Sequence, residues 1–179
     1  MCRLVANFNG ILSAPMKLSF EQSLLGLLRL SLGWIFIWAF IDKVLGLGFA
    51  TEPGKALIDG VSPTYGYLTF ATHGPLAPLF EMLAGNVLVD WLFMTGLLLI
   101  GLALILGIGV RIAGYAGALM MALLFLAASL PPEHNPILDE HIIYLLVFLL
   151  FTQLPVGDYL GLGKRWSQIS MVKRNPLLK

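Results

Sequence analysis

Asn135-Pro136-Ile137-Leu138-Asp139-Glu140-His141 sets two carboxylates and an imidazole at the head of an apolar stretch. A helix start explains part of this run. Asn135 caps, Pro136 takes the first helical position, and an acid favours the positive end of the helix dipole. It does not explain two acids and a histidine entering an apolar zone, where ionisable groups are costly and mark function. Histidine beside carboxylates suits proton exchange near neutral pH. Asp42-Lys43 closes another apolar stretch. The pair reads either as a membrane border or as an extension of the acid–histidine group. Trp34, Trp38 and Asp42 recur every fourth residue, on one helix face. Such a strip suits a flat ring and equally suits an interfacial tryptophan belt. Arg29, about two and a half turns inside the same stretch, either snorkels to the interface or holds Gln153 or a ligand carbonyl.

His73, His134 and His141 stand near acids, which raises zinc, copper or haem. No two have the spacing of one helical turn, so no metal is expected. The chain has no phosphate-binding loop, no dinucleotide fingerprint and no serine-nucleophile motif. Its single cysteine, Cys2, excludes an intrachain disulfide and a thiol redox pair. Redox chemistry would need a bound cofactor, a partner or a substrate that reacts without protein thiols.

These residues need elements to position them. The chain of 179 residues is 58% hydrophobic and 12% charged, against about 25% charged in a soluble domain. A lipid-facing surface resolves that mismatch. Four apolar stretches approach the length that crosses about 30 Å of hydrocarbon: residues 20–45, 87–106, 112–130 and 136–154. Gly107-Ile108-Gly109-Val110-Arg111 divides the second from the third, and Pro131-Pro132-Glu133-His134-Asn135-Pro136 the third from the fourth. The expectation is an all-α, integral membrane four-helix bundle. Small residues four apart, Gly114 with Ala118, Ala113 with Gly117 and Ala103 with Gly107, support close helix packing in lipid.

The connection over residues 46–86 is rich in Gly and Pro but also in Leu, Phe and Tyr. It reads as a long, ordered outer loop over one mouth of the bundle, with short helices near 54–59 and 78–83. Residues 1–19 read as a cytoplasmic segment without a signal peptide, 20–156 as the membrane domain, and 157–179 as a basic cytoplasmic tail.

Charge sets the orientation. Arg3, Lys17, Arg111, Lys164, Arg165, Lys173, Arg174 and Lys179 fall on one side with Glu21 and Asp158: eight bases against two acids, a net of +6. The other side holds Asp42, Glu52, Asp59, Glu81, Asp90, Glu133, Asp139 and Glu140 with Lys43 and Lys55: two bases against eight acids, a net of −6. The basic side is expected in the cytoplasm of a prokaryote, across its inner membrane. The basic tail fits lipid headgroups rather than nucleic acid.

The ordered set of motifs resembles the DoxX/DoxD family of small membrane proteins. It comprises Leu32-Gly33-Trp34-Ile35-Phe36-Ile37-Trp38-Ala39-Phe40-Ile41-Asp42-Lys43, then Gly46-Leu47-Gly48-Phe49-Ala50-Thr51, Gly60-Val61-Ser62-Pro63-Thr64 and Asp90-Trp91-Leu92-Phe93-Met94. It continues with Gly107-Ile108-Gly109-Val110-Arg111-Ile112-Ala113, Asn135-Pro136, Asp139-Glu140-His141-Ile142-Ile143-Tyr144 and Gly161-Leu162-Gly163-Lys164-Arg165-Trp166. The likeness covers roughly residues 22–168. For DoxD members it implies oxidation of thiosulfate to tetrathionate, with electrons passed to membrane quinone, an activity that goes with a second subunit, DoxA. A −6 face repels a dianion such as thiosulfate, so a basic partner surface, or Lys43, Lys55 and Arg29, would have to offset it.

The leading expectation is a quinone-linked membrane subunit. Asp42, Asp139, Glu140 and His141 would handle protons, and Arg29, Trp34, Trp38, Lys43 and Tyr144 would hold the quinone. The competing expectations are a non-enzymatic scaffold that docks an extracytoplasmic partner, and a small transporter. The charge division predicts that single cysteines near residue 70, on a Cys2→Ser background, react with an impermeant thiol reagent in intact cells. Cysteines near residue 170 stay protected, and the reverse pattern overturns the orientation.

Overall fold

The computed structural model describes residues 18–128, 130–132 and 137–178. Helix α1 spans Phe20–Leu45. Ser19 Oγ accepts from the Gln22 backbone N–H at 3.2 Å, and Gln22 Oε1 accepts from the Ser19 N–H at 3.1 Å. This reciprocal box satisfies donors that a helix start leaves without intrahelical partners. Gly46 ends α1 at φ +65°, a left-handed conformation that glycine adopts without a Cβ clash. The connection then carries a 3₁₀ turn at Leu57–Asp59, a wide turn at Tyr67–Ala71 and helix α2 at Ala77–Glu81. Helix α3 spans Val87–Leu106, α4 Val110–Ala128 and α5 Glu140–Gln153. A 3₁₀ turn at Val156–Asp158, α6 at Gly163–Trp166, α7 at Ser170–Arg174 and a last turn at Pro176–Leu178 complete the chain.

Among the described residues three helices, α1, α3 and α4, are long and apolar enough to cross a membrane, with 26, 20 and 19 residues. Helix α5 has 14 residues, about 21 Å at 1.5 Å per residue. The stretches expected at 20–45 and 87–106 coincide with α1 and α3. The third helix begins two residues earlier than expected, because Gly109 at φ +62° already turns the chain into it. The expected start of the fourth helix at Asn135 and Pro136 lies outside the described residues, as does His134. The described helix starts four residues after Pro136, at Glu140. Asp139 is its cap and Asp139 Oδ1 accepts from the Ile142 N–H at 3.3 Å.

Glycine lets the helices approach one another. A Cβ on Gly33 would stand 2.9 Å from Leu104 Cβ, and one on Gly101 2.8 Å from Ile37, so α1 and α3 run antiparallel in close contact. Helices α4 and α5 do the same where Gly114 meets Thr152 and the Phe148 carbonyl, and where Gly117 lies under the Phe148 ring. Phe36 of α1 meets Phe148 edge-on at 5.3 Å. Leu32, Phe36, Met94, Leu97, Leu104, Met121, Phe148 and Phe151 join these helices in one core. Ala113, Gly114, Gly117 and Ala118 are all buried, as their spacing predicts. The outward faces carry Leu24, Leu27, Leu99, Leu119 and Leu146, all exposed in the isolated chain. A soluble monomer rarely shows so much contiguous apolar surface.

One charge sits inside this core. Arg29 is 0% exposed. Its Nε donates to the Val156 carbonyl at 3.2 Å and Nη1 to Ile105 at 3.2 Å. Nη2 donates to Tyr159 and Leu160, at 3.0 and 3.1 Å. Its head therefore stays inside rather than snorkelling, and its partners are backbone oxygens rather than Gln153. Replacing Arg29 with Met is expected to strand these carbonyls and to cost roughly 3 kcal/mol or more, read as a lower unfolding temperature in detergent. Arg29→Lys, which keeps the charge but loses the fork, is expected to fall between.

Candidate functional site

The end of the molecule that carries the α1–α3 connection, here the loop end, holds most of the expected site residues. His141 Nδ1 lies 2.6 Å from Asp139 Oδ2, with the two side chains 20% and 11% exposed. Asp139 thus uses one oxygen to cap α5 and the other to orient an imidazole one residue beyond the helix start. A carboxylate that holds one ring nitrogen fixes the tautomer and orientation of the ring. Glu140 between them is exposed. Tyr144, one turn along, packs partly buried against the core.

Tyr67, a residue that sequence reasoning passed over, feels the charges of this end. Its hydroxyl donates to the Leu124 carbonyl at 3.4 Å. Burial first, then the negative charges of Asp139 and Glu140, push its phenol up to about 12. The 67–71 turn packs against α4, within electrostatic reach of the head of α5. Neighbouring bonds hold it on the end of α4: the His73 N–H donates to the Ala127 carbonyl at 3.2 Å, and His73 Nε2 lies 3.3 Å from the Pro131 carbonyl oxygen.

Asp42 does not join the pair. It is 1% exposed and accepts from the backbone N–H groups of Phe49 and Ala50, at 3.4 and 3.0 Å. The left-handed Gly46 turns the chain back over the end of α1 and brings those amides onto the carboxylate. Asp42 is thus a loop fastener at the level of His141, with no bond to it. Asp90 works the same way from α3. Its Oδ1 accepts from Ser62 Oγ at 2.8 Å, Thr64 Oγ1 at 2.5 Å and the Thr64 N–H at 3.3 Å. Asp59 Oδ2 accepts from the Ala56 N–H at 3.0 Å. Three of the acids that make this end negative therefore hold the connection in shape.

The aromatic strip faces outward. Trp34 is 55% exposed and tilts against Trp38, ring centres 5.7 Å apart; Phe49 meets Trp38 edge-on at 5.1 Å. Lys43 Nζ lies 6.0 Å from the Phe93 ring centre, a cation–π approach between α1 and α3. Arg29 is 13 residues before Asp42 on α1, about 20 Å away at 1.5 Å per residue, so it belongs to the opposite end. A cavity of about 330 Å³ opens beside the strapped loop, lined by Leu57, Val61, Ser62, Asp90, Trp91 and Met94. It includes none of Trp34, Trp38 and Tyr144. Apolar walls with a hydroxyl and a carboxylate at one edge fit a small lipophilic ring in volume and in character.

Comparison with protein-family models, with curated proteins and with solved structures gives no match for this chain.

The Tyr67 environment can be measured directly. Its phenol is expected to ionise near pH 12 in an ultraviolet absorbance titration, against the ordinary 10. A phenol held above its unfolded value stabilises the fold in full below pH 10, and that contribution is lost as pH rises through about 12. Removing both charges with Asp139→Asn and Glu140→Gln is expected to bring the phenol only part of the way back, because burial is the larger cause. A full return would show that Tyr67 is not buried.

Proposed function

We propose that this chain is the membrane subunit of a quinone-linked oxidoreductase, with its proton-handling site at the loop end. The carrying observation is the Asp139–His141 pair at 2.6 Å, mostly buried at the head of an apolar helix and flanked by Tyr67. Ionisable groups at that depth are costly, and a histidine oriented by a carboxylate is suited to exchange protons near neutral pH. Asp139 positions the ring, His141 exchanges the proton, and exposed Glu140 connects the pair to water. Tyr67, protonated at any physiological pH, acts only as a donor. Asp42 is reassigned from proton handling to fastening the loop.

The residues that fit a quinone ring best are Leu57, Val61, Trp91 and Met94, with Ser62 at the polar edge of their cavity. Trp34 and Trp38 offer a second, lipid-facing apolar surface beside it. Quinone would supply the acceptor for the two electrons released when two thiosulfate ions couple as tetrathionate, and its reduction consumes two protons. Thiosulfate is the donor to test first because of the DoxX/DoxD resemblance. The acid-rich loop end repels such a dianion, so the reading includes a second, DoxA-like subunit with a basic face.

In the same reading α5 is the fourth crossing of a four-helix bundle. Its contact with α4 along Gly114, Gly117, Phe148 and Thr152 supports this. Both termini would lie in the cytoplasm of a prokaryotic inner membrane, by the excess of basic residues at the tail end.

A second reading, a scaffold that docks an extracytoplasmic partner, is favoured by one observation. The fastened loop exposes Phe49, Phe70 and Met82, at 71%, 80% and 81%. Purification in mild detergent with identification of associated subunits and lipophilic cofactors separates the two. For the redox reading, thiosulfate-dependent quinone reduction by the purified complex is expected to fall roughly tenfold or more in His141→Ala and Glu140→Gln, with normal levels in the membrane. Full turnover in both variants would reduce the Asp139–His141 pair to a helix start and sink the proton-handling mechanism.

A further inference from the structure

The opposite end of the molecule, the tail end, contains a second cavity, of about 230 Å³, where the α3–α4 turn, the end of α5 and the folded tail meet. Its apolar floor is Val110, Phe151 and Leu154, and its polar rim is Arg111, Asp158 and Ser167. Glycine backbone at Gly107, Gly157 and Gly163 makes up other parts of the wall. The tail is held over it. Arg111 Nη1 donates to the Pro176 carbonyl at 3.1 Å, and Trp166 Nε1 donates to the Leu178 carbonyl at 2.5 Å.

Two features point to an occupant. Arg111 and Asp158 carry opposite charges into one small cavity, yet they form no ion pair with each other. Among the described residues the ion pairs are Lys55–Glu52 and His141–Asp139. A ligand bearing both charges would bridge them. The cavity also opens where membrane-length helices end, at Gly107 after α3 and Val110 at the start of α4. That is the depth of phospholipid headgroups, and the floor below it is apolar.

We propose that this cavity binds the headgroup of an ethanolamine phospholipid. The lipid phosphate lies on the Arg111 guanidinium, which is suited to phosphate by its planar array of donors. The primary ammonium lies on Asp158, donating charged hydrogen bonds that a trimethylammonium cannot make. The glycerol and the first acyl carbons run over Val110, Phe151 and Leu154. Lys164, Arg165, Lys173 and Arg174 are exposed on α6 and α7. They attract the anionic lipids of any membrane surface without selecting among headgroups. Selection for ethanolamine is therefore assigned to Asp158 alone.

Native mass spectrometry of the full-length protein in mild detergent tests this. Dioleoyl phosphatidylethanolamine, phosphatidylcholine and phosphatidylglycerol are titrated in parallel. The ethanolamine lipid is expected to be retained roughly tenfold more strongly than the choline lipid, the order of one charged hydrogen bond. It is also expected to exceed the glycerol lipid. Asp158→Asn is expected to erase the preference over choline and to leave glycerol-lipid binding unchanged or stronger. Arg111→Gln is expected to weaken all three. Equal retention of the ethanolamine and choline lipids by the unaltered protein overturns the proposal, as does a preference for the glycerol lipid. Selectivity that survives Asp158→Asn overturns it too. The first comparison needs no variant, so a misfolded variant leaves the test standing.

Discussion

The packing depends on a single cation dissolved in backbone. Arg29 has no carboxylate among its hydrogen-bond partners; its guanidinium is solvated by the carbonyls of Ile105, Val156, Tyr159 and Leu160. Two of these oxygens lie at or just beyond the C-terminal ends of α3 and α5, where unsatisfied carbonyls gather and the helix dipole is negative. A positive charge at both ends offsets what an apolar core would otherwise leave unpaired. The same fork stitches α1 to two chain segments more than 70 residues away, residue 105 and residues 156–160.

The loop end solves the complementary problem. Its backbone N–H groups leave the helices without partners, and carboxylates collect them. Asp42 takes the amides of Phe49 and Ala50, Asp59 that of Ala56, and Asp90 the amide and hydroxyl of Thr64. Several of the acids that give this end its charge are therefore also hydrogen-bond acceptors that hold the loop. Of the acids at the head of α5, Asp139 caps the helix and holds His141, and Glu140 is exposed.

Helix positions and their close-packed faces were legible because they rest on local rules. Apolar length marks α1, α3 and α4, Gly107 marks a break, and Ala113, Gly114, Gly117 and Ala118 mark a contact face. The role of Arg29 was not legible, since its partners stand 76 to 131 residues away and are backbone, which leaves no residue-type signature. The bonds of Asp42 to the loop were not legible for a related reason. Its depth matched that of His141, but the left-handed Gly46 decides what reaches it. The run from Asp42 to Gly46 and Gly48 carries that signal in retrospect. Tyr67 was missed because nothing in its neighbourhood is periodic; only the path of the connection brings it within reach of the charges of Asp139 and Glu140.

The packing is also uneven, and this bears on how the molecule can move. Helices α1 and α3 form one tight couple and α4 and α5 another, while the seam between α3 and α4 is looser and has the flexible Met120 against Gly96. Arg29 crosses from the first couple to the segment that follows α5, so the seam is riveted at one extremity. At the other extremity the α1–α3 connection is tied to α4 as well, by the Tyr67 hydroxyl on the Leu124 carbonyl and the His73 N–H on the Ala127 carbonyl. The slack in the seam is therefore confined to its middle, where Met120 meets Gly96.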